Sequence, residues 1–175
     1  MIKTNRIFLS LSVFIVALAA FVFVLPSATE TSCAAERCRE TAGGNGTLIM
    51  PDGTRRRFSF DAEKRPNGNV RGEAVIHNPA FDFRARIDIQ CLEVVGNRAR
   101  AAGVVKNTND PNLDGNTAVF EVYDNGNRQS GTDTISLVFF SPPDMPPPTE
   151  GYCQSFEDFP QMQIDRGNIK VDDCN

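Results

Sequence analysis

Asp110-Pro111-Asn112-Leu113-Asp114-Gly115, with Glu121 six residues after the glycine, carries the oxygen donors of a calcium loop at the spacing such loops use. In that chemistry Asp110, Asn112 and Asp114 converge on one hard cation. Gly115 allows the sharp turn, Asn116 offers its carbonyl, and Glu121 completes the shell with two oxygens. The flanks do not read as helices: Pro111 occupies the second position, and Ala118 to Val122 alternates like a strand. The same residues also suit a polar hairpin loop, where Asp, Asn and Gly serve turn conformations. A loop site without helices is the form in which calcium remains a candidate, and it is the one cofactor the sequence suggests.

Other reactive residue types are sparse. His77 is the one histidine, and no serine or cysteine sits in a nucleophile turn such as G-x-S-x-G. Beside Asn78-Pro79 it reads as an exposed residue at a strand end. A glycosidase-like carboxylate pair is defined by separation in space, so the 22 acidic residues neither support nor oppose one. Arg55-Arg56-Arg57 reads as a solvated strand edge that guards against aggregation rather than as an anion site. Asn45-Gly46-Thr47 matches a glycosylation acceptor. No catalytic residue is assigned, and the reading is non-enzymatic.

Cys33, Cys38, Cys91, Cys153 and Cys174 are the cysteines. With no C-x-x-C, disulfides are favoured over zinc. If Cys33 leaves with a leader, the other four form two bridges, and sequence alone does not choose among their three pairings. Cys91 with Cys153, and Cys38 with Cys174 tying the ends, is the pairing we carry forward.

The N-terminus supports that oxidising compartment. Lys3 and Arg6 precede Ile7 to Leu25, apolar apart from Ser10 and Ser12, and Pro26-Ser27-Ala28 follows. Basic, apolar, then small is the export pattern. The apolar run would reach about 28 Å as a helix, so an uncleaved anchor competes with cleavage after Ala28. Either way the rest lies outside the cytoplasm, secreted or membrane-anchored, and the membrane is met only through this segment. A net charge of −4 gives no basic footprint for nucleic acid.

The elements that would position these residues are strands. Arg57-Phe58-Ser59-Phe60-Asp61 alternates, and Phe81 to Cys91 is apolar at every odd position, so Phe81, Phe83, Ala85, Ile87, Ile89 and Cys91 should share a buried face. The phase flips at Leu92, which predicts a bulge or bend there. Gly96-Asn97 predicts a hairpin into Arg98 to Lys106. Further strands are expected at 47–50, 70–77, 117–123, 134–140 (Ile135, Leu137 and Phe139 inward) and near 169–171. About eight strands joined by tight turns, with no helical face, predict an all-β chain: one antiparallel β-barrel or sandwich. The organisation is a leader or anchor helix over 1–28, a linker over 29–40, the β-domain over 41–140, and a Pro-rich, Cys-containing extension over 141–175 that packs on the domain. Its Pro142 to Pro148 run reads as a stiff connector.

Gly43-Gly44-Asn45-Gly46, Phe58-Ser59-Phe60, Val95-Gly96-Asn97-Arg98-Ala99 and Phe120-Glu121-Val122-Tyr123-Asp124-Asn125-Gly126 together resemble an uncharacterised family of exported bacterial β-domains, the post-COAP type found after choice-of-anchor domains. The resemblance spans about Thr41 to Phe140. It implies an extracytoplasmic β-domain and brings no catalytic residue with it. Three roles follow as expectations: a structural or interaction module meeting a protein or cell-surface partner, a lipocalin-like carrier with an open barrel, and, least supported, a hydrolase. A packed interior of Phe58, Phe60, Phe81 and Phe83 would defeat the carrier.

Overall fold

The computed structural model describes residues 38–126, 133–142, 148–149, 151–154 and 157–174. The expected leader, most of the linker, Cys33 and the centre of the proline run lie outside these residues. Ten strands form: β1 (Glu40–Ile49), β2 (Arg55–Lys64), β3 (Val70–Asn78), β4 (Phe83–Val95), β5 (Arg98–Thr108), β6 (Thr117–Tyr123), β7 (Thr134–Ser136), β8 (Phe139–Phe140), β9 (Gln161–Gln163) and β10 (Arg166–Asp172). They make one antiparallel sheet in the order β10-β1-β2-β3-β4-β5-β6-β7-β9, with β8 also on β6. The fold is all-β and barrel-like, a single curled sheet rather than two packed ones.

Connectivity explains the curl. The outermost strands, β9 and β10, are separated in sequence only by Ile164 and Asp165, so the two edges of the sheet must come together. Two carboxylates bridge the seam. Asp133 Oδ2 accepts from the Ile169 amide at 2.8 Å and Asp124 Oδ2 from the Val171 amide at 3.2 Å. These are donors of β10 that a neighbouring strand would otherwise satisfy.

The inner face is filled. Phe58 stacks on Phe60 with centroids 6.3 Å apart, and Phe60 meets Phe120 edge-on at 5.4 Å. Leu48, Ile76, Ile87, Ile89 and Val105 surround them. Such ring pairs favour offset or T-shaped contact. β1 brings its glycines to this packing: a Cβ at Gly46 would lie 2.8 Å from the Phe58 ring. That accommodation lets β1 start at Glu40, seven residues before the strand the alternation predicts.

Several inward assignments are corrected. Phe81 is 66% exposed, because Pro79–Phe81 forms a 3₁₀ turn in which the Asn78 side chain caps the Ala80 amide and Asp82 takes φ 49°. β4 therefore begins at Phe83. The register slips between Ile89 and Cys91, earlier than the predicted flip at Leu92. This bulge turns Cys91 to the outer face while Leu92 enters the core. A one-residue slip also separates the β6–β7 from the β6–β8 pairing, so Val138 and Phe140 pack on the core and Phe139 faces out. β2 is paired on both sides and is no edge.

The extension completes the sheet through β9 and β10 and crosses the outer face of β4 to β6. There Cys91, Ala102, Val119 and Cys153 form a second, smaller core with Tyr152 and Phe159 against it. Two disulfides fix this arrangement, Cys91–Cys153 and Cys38–Cys174, with Cα atoms 6.0 and 5.6 Å apart. Those are ordinary spans for a bridge. Both agree with an extracytoplasmic chain. Among the described residues no helix is long and apolar enough to cross a membrane.

Candidate functional site

The clearest concave feature outside the core is a groove of about 610 Å³ at one end of the barrel. The β1–β2 turn brings Met50, Asp52 and Thr54, and the first residues of β2 bring Arg56. Asn78, Phe81, Asp82 and Phe83 come from the β3–β4 connection, Asn109, Asp110 and Leu113 from the β5–β6 loop, and Phe140 from β8. One wall is apolar, with Phe83 and Phe140 packed edge-on at 6.4 Å. The other carries the polar groups.

Most of those polar groups are occupied in shaping the loops. Asp52 Oδ1 accepts from Thr54 Oγ1 at 2.7 Å and from its amide at 2.9 Å. These bonds hold the Asp52 carboxyl below its ordinary range. Asn109 Oδ1 accepts from the Arg84 amide at 2.8 Å, and its Nδ2 donates to the Asp82 carbonyl. Asp110 Oδ1 accepts from the Asn112 amide at 3.0 Å. The walls are thus tied to one another, and the groove is built before anything enters it.

Arg56 is different. Residues 56, 58, 60 and 62 share the inward phase of β2, so Arg56 sits directly beyond Phe58 on the inner face and reaches the barrel mouth. Arg55 and Arg57 point to solvent. The Arg56 side chain makes no ion pair and no hydrogen bond among the described residues, and its Nε is buried with no partner. Burial pushes its pKa down, with Asp52 opposing, and it remains cationic. An unpaired, partly desolvated guanidinium costs stability unless something outside the fold meets it. The arginine run read as a solvated edge therefore hides an inward cation. The alternation that placed Phe58 and Phe60 carried that signal.

The calcium residues do not come together. Asp110, Asn112 and Asp114 share the β5–β6 loop, where Gly115 at φ 84° makes the turn. Glu121 lies four strand residues beyond Thr117, about 13 Å along β6 at 3.3 Å per residue. It is fully buried under the extension: Arg100 holds its Oε2, and Gln161 Nε2 donates to its Oε1 at 3.0 Å. In a helical loop the twelfth residue returns to the ion; on a strand it is carried away. Asn116 is buried with its side-chain oxygen unpartnered. Among the described residues no group of three His, Cys, Asp or Glu could hold a metal.

His77 is next to the end of β3, as the sequence placed it, but is half-buried rather than exposed, paired across strands with Arg57 and Arg84; the turn begins at Pro79. The void beside Phe58 and Phe60 has room for only about one water, about 20 Å³, and the Phe58, Phe60 and Phe120 rings pack around it. Phe81, expected in that packing, lines the groove instead.

No family model, curated protein or solved structure matches the chain. The residues themselves carry the functional argument.

Proposed function

We propose that this chain is an extracytoplasmic, non-enzymatic binding module acting at the cell surface, with the barrel-end groove as its contact site. The observation that carries the reading is Arg56, a cation with no hydrogen bond or ion pair among the described residues, at the mouth of a filled, cross-linked scaffold. A rigid core with a preformed polar groove suits recognition, because little order is lost on binding. The residues that reach the groove are Asp, Asn, Thr and Arg, with Phe, Met and Leu on its apolar side. They offer hydrogen bonds and an aromatic face rather than a nucleophile with its base. The likeness to exported β-domains supports the same placement.

The test has two parts. Fractionation with thiol blocking should find the chain outside the cytoplasm with four of its cysteines refractory to alkylation until reduced. Fluorescently labelled protein should then bind intact cells of its own source saturably, and Phe81→Ala should weaken that binding. A cytoplasmic, fully reduced chain, or one that binds no surface, overturns the proposal.

A further inference from the structure

From the balance of charges and unpaired groups in the groove, we infer that its ligand is a neutral, hydroxyl-rich sugar, a glycan segment of one or two rings. This rests on the binding-module reading and names the chemistry of the same site.

Three ligand classes compete for the groove, and its lining separates them. A divalent cation would meet Asp52, Asp82 and Asp110, but also the Arg56 guanidinium in the same groove, and the Glu121 carboxylate it would need is held by Arg100 and Gln161. A simple anion would be drawn to Arg56 and repelled by three aspartates. A sugar hydroxyl meets neither objection. It accepts a hydrogen bond from the part of the Arg56 guanidinium that faces the groove, which no described residue hydrogen-bonds, and donates one to a carboxylate. The Asp82 carboxylate has no hydrogen bond or ion pair among the described residues and is available as that acceptor. The hydroxyls of one sugar can thus meet groups of opposite hydrogen-bonding character, which no simple ion does.

The apolar side of the groove fits the same ligand. Phe81 is 66% exposed, held out by the 3₁₀ turn and the left-handed Asp82 that follows. An exposed ring on a fixed turn is a flat apolar platform for the C–H face of a pyranose, while hydroxyls around the ring's edge reach the polar wall. At about 610 Å³ the groove lies within the 300–1,000 Å³ usual for ligand sites.

The experiment is an amide chemical-shift titration of the full chain with cellobiose, maltose and N,N′-diacetylchitobiose, each to 50 mM, in parallel with sodium acetate, inorganic phosphate and CaCl2. The expected result is saturable shifts from at least one disaccharide, confined to Asp52, Thr54, Asn78, Asp82 and Asn109. Arg56→Met should weaken that affinity tenfold or more and Phe81→Ala about fivefold. Phe81 is exposed, so its variant keeps the test valid if Arg56→Met fails to fold. The inference is overturned if no sugar shifts the groove, if both variants bind as the parent does, or if only acetate, phosphate or Ca²⁺ binds there. Should labelled protein still bind cells when every sugar fails, the binding module stands and the sugar falls; should surface binding fail as well, both fall.

Discussion

Arg100 and Arg56 lie on the same sheet and are treated in opposite ways. Arg100, on the outer face of β5, is almost wholly buried under the C-terminal extension, and every direction of its guanidinium is used. Its Nε donates to Glu121 at 3.1 Å, its Nη1 to the Cys153 carbonyl at 3.0 Å, and its plane lies over Phe159 at 5.4 Å from the ring centre. Arg56, on the inner face of β2, is half-buried, with no hydrogen bond or ion pair among the described residues and only the field of Asp52 to oppose its charge. A fold that partners one cation so fully and leaves another so little engaged is using them differently. The first anchors the extension, and the second faces whatever enters the groove. The two regions also differ in closure: Cys91–Cys153 fastens the extension over Arg100, while the groove around Arg56 is open to solvent.

The largest expected effect comes from breaking the pair on the covered side. Glu121→Gln leaves the buried Arg100 with only the exposed Asp158, 3.6 Å away, as counter-charge and should cost about 3–5 kcal/mol of unfolding free energy, read by urea titration. Replacing both by apolar residues, Arg100→Met with Glu121→Leu, should recover most of that loss, since two desolvated charges disappear together. If the single variant costs under 1 kcal/mol, the covered face is not the anchor described here.

Next in size is the fastening itself. Cys91→Ser with Cys153→Ser should lower stability by about 2–4 kcal/mol and raise proteolysis in residues 148–160, with the groove-forming loops unaffected. Limited proteolysis followed by mass analysis distinguishes this from general loosening.

A smaller effect is expected in acid. Hydrogen bonds from Thr54 lower the Asp52 pKa, Arg71 lowers that of Glu63, and Lys170 lowers that of Asp172. A carboxyl whose folded pKa is depressed contributes stability above its unfolded value, near 4, and loses it as pH falls through the folded value. Thermal midpoints should therefore be level from about pH 7 to 5 and fall below about pH 4. Because Asp52 is exposed, Asp52→Asn should soften that acid limb only slightly. The smallest effect is that of calcium. With Glu121 committed to Arg100, millimolar Ca²⁺ should leave the thermal midpoint unchanged and give no saturable heat. Saturable heat abolished by Asp110→Asn would show that the loop holds the ion unaided.

How much of this was legible in the sequence depended on whether a neighbour intervened. The alternation of β2, β5 and β6 was plain because both faces stay in phase along each strand. The Gly96-Asn97 hairpin was plain because its turn residues are local. Both bridges agree with the pairing carried forward from the sequence. Cys91 was placed on the wrong face because the bulge after Ile89 follows from pairing with β5, a non-local event. β1 was cut short because the glycine-rich start carries no alternation of its own; only the folded sheet shows that Ile169 and Phe58 require the missing side chains of Gly44 and Gly46. Phe81 continued an alternating run that the Asn78-Pro79 turn interrupts. Arg56 was the opposite case: its phase was visible, but the run of three arginines masked it. The calcium spacing did not reveal where Glu121 goes, because spacing along a chain brings it to the loop only when that chain coils as a helix, and on β6 it reaches Arg100 instead.

The most direct measurement is the unfolding free energy of Arg56→Met, with Glu121→Gln as the yardstick. Methionine keeps the apolar stem and removes the charge. Arg56→Met should unfold within about 1 kcal/mol of the parent, or at higher urea, because no intramolecular hydrogen bond or ion pair among the described residues is lost. A loss of about 3 kcal/mol or more would contradict it, and would make Arg56 a structural residue like Arg100.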